Sequence, residues 1–198
     1  NLFVRCQEFL NIPTIKEIIK IKFIASMFQR ATKCKNFIIQ KQDSQKFLQI
    51  STQGLTNDNF NIIRLSIESI IAALNYDNSL IDNYEQISTN LFQALKKIND
   101  HDQFLELYQK IMEFISTTII KKSMSSISLL KIANENIIDF IISKPEKILF
   151  EKFLLVVNSY QQVEKTELIE VLRIAFVFIV ISLSNNEDFS AISSNINK

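Results

Sequence analysis

The chain has 198 residues, 47% of them apolar and 22% charged, a balance that folds and that argues against global disorder. A formal net charge of +1 gives no overall pull toward nucleic acid or an anionic membrane, so a nucleic-acid partner is disfavoured. A single glycine, Gly54, and two prolines leave no glycine-rich phosphate cradle and few residues for tight β-hairpin turns, which points to helices.

Asn1 to Leu10 reads as the last helix of a preceding hairpin, with Leu2, Phe3, Cys6, Phe9 and Leu10 available for burial. Apolar-periodic helices then begin near residues 14, 35, 58, 79, 101, 122, 146 and 166, so every second start recurs after about 43 to 45 residues. Capping signals support several of these starts. Thr14 with Glu17, Ser143 with Glu146 and Ser184 with Glu187 have the spacing of a capping box, and Asp58 and Asp100 can cap two others.

Within the segments the apolar spacing is helical. Phe60, Ile63, Ile67, Ile70, Ile71 and Leu74 share one stripe. Leu80, Tyr84, Ile87, Leu91, Leu95 and Ile98 share another, and Phe104, Tyr108, Ile111 and Ile115 repeat the pattern. Farther on, Ile174 to Ile181 are consecutively apolar, but Glu170 and Arg173 lie too close for a membrane span. That helix is a candidate apolar contact surface through Ile174, Phe176, Val177, Phe178, Val180 and Ile181, its ordinary role being a central helix covered by the next repeat. After it, Phe189, Ile192 and Ile196 can dock a short final helix. Both ends look cut from something longer.

A hairpin with one apolar stripe cannot bury it alone, and equal hairpins stack to share a core. Four units follow, at about 14–57, 58–100, 101–145 and 146–184, forming one array across residues 1–198. Long helices ending in a small polar residue recur: Ile70-Ile71-Ala72-Ala73-Leu74-Asn75 before Ser79-Leu80-Ile81, Phe114-Ile115-Ser116 before Ile119-Ile120, and Leu155-Val156-Val157-Asn158. The stretch from Asn36 to Leu48 has the look of a short helix, a break at Asp43-Ser44 and a second helix. In these features residues 14 to 184 resemble armadillo and HEAT repeats. The resemblance implies an all-α fold, a right-handed superhelix of about four helical hairpins. The glycine usual at the family's break is absent here, and without any Trp the family's peptide clamp has no counterpart, which argues against an importin-like grip on basic peptides.

Chemistry has few places to reside. His101 is the only histidine, and its ordinary role is an exposed residue in a first helical turn. Glu164, Glu167 and Glu170 share a helix surface suited to solvent, and two distant cysteines form no metal set, so no cofactor, metal or small-molecule substrate is expected. Cys6 and Cys34 read as small core residues of a protein from a reducing compartment, the cytoplasm. Charge is uneven: residues 1–50 carry nine basic and three acidic side chains, whereas residues 51–102 carry three and seven. Arg30, Lys33, Lys35, Lys41 and Lys46 form the candidate basic patch for an acidic protein segment or a nucleic-acid backbone, weighed against a merely solvated face. The expected function is a non-enzymatic scaffold or adaptor that binds other proteins. The alternatives are a structural subunit of a large assembly and a regulatory helical domain of a longer enzyme.

Overall fold

The computed structural model describes residues 8–34, 36–121 and 147–160, with isolated helical positions at 136 and 180. Within them the chain is all-helical. Residues 8–11 form a helical turn, followed by α1 (Glu17–Lys33), α2 (Lys41–Gly54), α3 (Phe60–Tyr76), a 3-10 turn (Asn78–Leu80), α4 (Tyr84–Lys96), α5 (His101–Lys121) and α6 (Lys147–Tyr160). Among the described residues no helix is long and apolar enough to cross a membrane.

Helix starts follow the local chemistry with some displacement. Asp100 caps α5 as its spacing suggests, its side chain accepting from Gln103 N at 2.9 Å. For α3 the cap is Asn59 rather than Asp58: its side chain accepts from Asn61 N at 2.9 Å. The Thr14 capping box does not form. Lys16 is the N-cap of α1 and makes no side-chain cap bond, and Glu17 stands as a favourable first-turn charge. The boxes at Ser143 and Ser184 lie outside the described residues.

The second helix starts at Lys41, six residues after the expected position, and the reason lies in Tyr76. Its hydroxyl accepts from Ile39 N at 3.1 Å and donates to Ile39 O at 3.3 Å, fastening residue 39 to the end of α3. With its backbone engaged there and its side chain 3% exposed, Ile39 stays outside the helix. No break occurs at Asp43-Ser44, which lie buried in the first turn of α2. The start expected near 79 is a 3-10 turn, capped by the Asp77 carboxylate on Ser79 N, and α4 proper begins at Tyr84.

Packing follows an alternating order. α1 lies against α3, α3 against α5 and α5 against α6, while α2 packs on α3 and α4 on α5. Residue pairs give the directions. Phe28 meets Phe47 edge-on at 6.1 Å, while Ile21 approaches Gly54, so α1 and α2 are antiparallel. Ser51 bonds Ser69 at 2.8 Å and Gly54 abuts Ser66, so α2 and α3 are antiparallel too. α1 and α3 therefore run the same way. Asn57 Nδ2 accordingly donates to Glu17 Oε2 near their starts, at 3.1 Å.

The same direction holds between α3 and α5, with a fixed step. Arg64 pairs with Glu106 at 3.5 Å and Glu68 with Lys110 at 3.8 Å, each a step of 42 residues, and Asn78 Nδ2 donates to Lys121 O at 2.7 Å across 43. The long helices α1, α3 and α5 thus lie side by side and codirectional, at the interval found in the helix starts.

The stripes read from sequence form the core. Ile63, Ile67, Ile70, Ile71, Leu74, Tyr84, Ile87, Leu91, Leu95, Phe104, Tyr108, Ile111 and Ile115 are all buried, joined by Leu149, Phe153 and Val156 of α6. Phe60, Leu80 and Ile98 are half-buried at its edge. A second cluster holds Leu10, Ile24, Phe28, Ile39 and Phe47 against Ala72 and Ala73. α3 contributes to both clusters and is covered by α1, α2 and α5, so it is a central helix buried on several sides.

Candidate functional site

Side-by-side helices leave a seam between them, and along α1 and α3 that seam opens into two cavities. One, of about 540 Å³, is lined by Gln29, Thr32 and Lys33 of α1, by Glu68, Ile71, Ala72 and Asn75 of α3, and by Lys110, Glu113 and Lys121 of α5. The other, of about 680 Å³, lies toward the helix starts and is walled by Phe9, Ile18, Ile19, Phe23 and Leu65, with Lys22, Ser26, Asn61 and Arg64 around them. Glu68 lines both, so they are two parts of one groove.

Toward the end of α3, Ala72 and Ala73 are nearly fully buried in one cluster with Ile24 and Phe28 of α1. Toward the helix starts the apolar walls stay open: Ile19 is 49% exposed and Ile12, beside this end in sequence, is 40% exposed. Of the two, Ile19 lines the cavity and leaves apolar surface open there.

Charges partition along the groove. Glu68 Oε1 holds Arg64 at 3.1 Å and Lys110 at 3.8 Å, and Lys110 is also 3.1 Å from Glu113. These half-buried groups neutralise one another and tie α3 to α5. Lys22, Lys33 and Lys121, by contrast, have no carboxylate within 4 Å among the described residues. Lys33 and Lys121 line the same cavity, so two uncompensated cations from helices not adjacent in sequence converge there.

The basic patch read from sequence is only partly brought together. Lys33 enters the groove, whereas the Arg30 guanidinium sits 5.6 Å over the Phe37 ring, a cation–π contact. Lys41 and Lys46 are exposed on α2, and Lys35 lies outside the described residues. Sequence reasoning missed Lys121 and the Arg64–Glu68–Lys110 network. The network's signal was present in the period, since Arg64 and Glu106, and Glu68 and Lys110, lie 42 apart with opposite charge, whereas Lys121 had no such signal.

Comparisons with family models, curated proteins and solved structures find no match for this chain.

Other candidate residues resolve simply. His101 is exposed at the first position of α5, as expected. Cys34 is not a core residue: it is exposed at the C-cap of α1, where that helix gives way to extended backbone. Cys6 and Glu164, Glu167 and Glu170 lie outside the described residues. So do Ile174, Phe176, Val177, Phe178 and Ile181 of the apolar contact helix, while Val180 is helical and 48% exposed. Among the described residues no cluster of His, Cys, Asp and Glu could hold a metal ion. Tyr108 is fully buried, and desolvation raises its phenol above the ordinary range. It lies in the core rather than at the groove.

Proposed function

We propose that the chain is a stack of helical hairpins of the armadillo or HEAT kind, acting as a non-enzymatic module that binds another protein along the α1–α3–α5 groove. The reading is carried by the step of 42 to 43 residues that pairs α3 with α5, residue for residue, while leaving a groove on the face of the long helices. In such a stack each hairpin needs only its neighbours for its core, so groove residues are released from packing and can serve a partner. Glu68, Arg64 and Lys110 hold the groove walls at a fixed spacing, and Ile19, Lys33 and Lys121 are left to make contacts.

Photo-crosslinking tests this. A photoreactive residue placed at Gln29 or Asn75, in the groove, is expected to capture a defined protein from the source cells. The same residue at exposed Gln49 on α2 is not. The captured protein, purified, should then bind the full chain in isolation. Equal capture from both faces, or none from the groove, would remove the proposal.

A further inference from the structure

The two ends of the groove differ in chemistry, and that difference describes an occupant. One end offers the apolar side chains of Phe9, Ile19, Phe23 and Leu65 with Lys22 beside them; the other offers Lys33 and Lys121, apart from the paired Glu68, Lys110 and Glu113, over Ile71 and Ala72. α1 and α3 are each 17 residues long, so the groove extends for roughly 25 Å. An occupant spanning it must bury apolar groups at one end and present negative charge at the other.

The secondary structure of that occupant follows from backbone accounting. An extended peptide leaves its amides and carbonyls in need of partners all along its length, and burying them unpaired is costly. The apolar end supplies little for this: Arg64 and Glu68 are paired with each other, the Ser26 hydroxyl already donates to Lys22 O, and Asn61 and the Lys22 ammonium remain. A helix satisfies its own backbone and requires only side-chain complementarity, read through anchors three and four residues apart.

We infer that the groove receives an amphipathic acidic helix of a partner protein, its apolar anchors seated around Ile19 and Phe23 and its carboxylates on Lys33 and Lys121. This deepens the proposed function and rests on it. Of the other groove cations, Arg64 and Lys110 are already engaged by Glu68, Glu106 and Glu113, and Lys22 at the apolar end is the one left without a carboxylate among the described residues, so the helix carries its carboxylates chiefly at the Lys33 and Lys121 end.

The test uses a fluorescein-labelled designed peptide of about 18 residues, long enough for five helical turns. It carries Leu on one face of one half, Glu on the same face of the other half and Gln elsewhere, and is made in both orders along the chain. Fluorescence anisotropy with the full chain is expected to show binding of one order, weakening as salt is raised. Ile19→Asp should weaken it about tenfold or more, as loss of a central anchor does. The Lys33→Glu, Lys121→Glu double variant should weaken it comparably and flatten the salt dependence. All three residues are exposed or line the open groove, and circular dichroism checks that the fold is intact. The inference is overturned if neither order binds or if a Lys-for-Glu peptide binds equally well. It is also overturned if a proline-interrupted peptide binds equally well, or if either variant leaves affinity unchanged. If crosslinks from Gln29 persist under excess peptide, the acidic helix is wrong while the interaction module stands; if those crosslinks are absent altogether, the module itself fails.

Discussion

Gly54 at the end of α2 and Ser66 in α3 are packed so closely that a single methyl on Gly54 would overlap the Ser66 hydroxyl and come within 2.8 Å of Ile21 Cδ1. Three helices converge on this point. The only glycine of the chain is therefore kept for close approach rather than for an unusual backbone angle.

Gly54→Ala is accordingly expected to lower stability by about 1 to 3 kcal/mol, the usual cost of overpacking a core. The Ser66 hydroxyl is buried without a hydrogen-bond partner, so Ser66→Ala should cost little and should recover much of the loss in the double variant. Urea titrations of the four proteins of this cycle check it; additive losses would show that the crowding lies elsewhere.

Tyr108 carries a second unpartnered hydroxyl, fully buried beside Phe104 with ring centroids 6.3 Å apart. Tyr108→Phe should stabilise the fold by about 1 kcal/mol, since it removes a desolvated polar group and keeps the ring. Burial raises the folded phenol above its ordinary value, so above pH about 10 the unfolded chain loses this proton while the folded chain keeps it. Stability is then lost as pH rises, by about 1.4 kcal/mol per pH unit from this group. Denaturation midpoints between pH 9 and 11, in steps of about half a unit, should fall less steeply for Tyr108→Phe than for the parent.

Glu68 holds both Arg64 and Lys110 at side chains about a quarter exposed. Glu68→Gln should cost about 1 kcal/mol or less, because partly solvated pairs contribute little individually. Its clearer signature is reduced salt sensitivity of stability, measured by thermal melts at low and high ionic strength; identical salt dependence would mean the network is energetically silent.

Phe153 of α6 is fully buried in the cluster shared with α3, α4 and α5. Phe153→Ala should destabilise by about 3 to 5 kcal/mol through transfer and cavity costs. Chemical denaturation measures this, and a loss under 1 kcal/mol would show that α6 contributes little to the common core.

Much of this fold was legible in the sequence, and the failures have physical causes. The stripe from Tyr84 to Leu95 could be read directly, because burial on one side writes a period of three and four. Asp100 was legible as a cap, since its bond to Gln103 N is local. Thr14 was not, because the capping pattern says nothing of where tertiary contacts start the helix. The delayed start of α2 depended on Tyr76, 37 residues away from Ile39, and no local pattern contains that bond. Cys34 was misplaced for a related reason: its residue type favours burial, but the helix ends there and turns it outward. Of the groove, only Lys33 was found. Lys121 and Ile19 join one groove only when the three long helices are laid side by side.

The shared direction of α1, α3 and α5 has an electrical consequence. Helices that alternate up and down cancel one another's macrodipoles, whereas three in register add theirs, leaving bare amides along one edge and bare carbonyls along the opposite edge. Glu17 and Asp102 stand on the amide edge, and Lys33 and Lys121 on the carbonyl edge. The two lysines that open to the groove thus also quench the fractional negative charge of their own helix ends, so a carboxylate arriving there competes for them with peptide carbonyls.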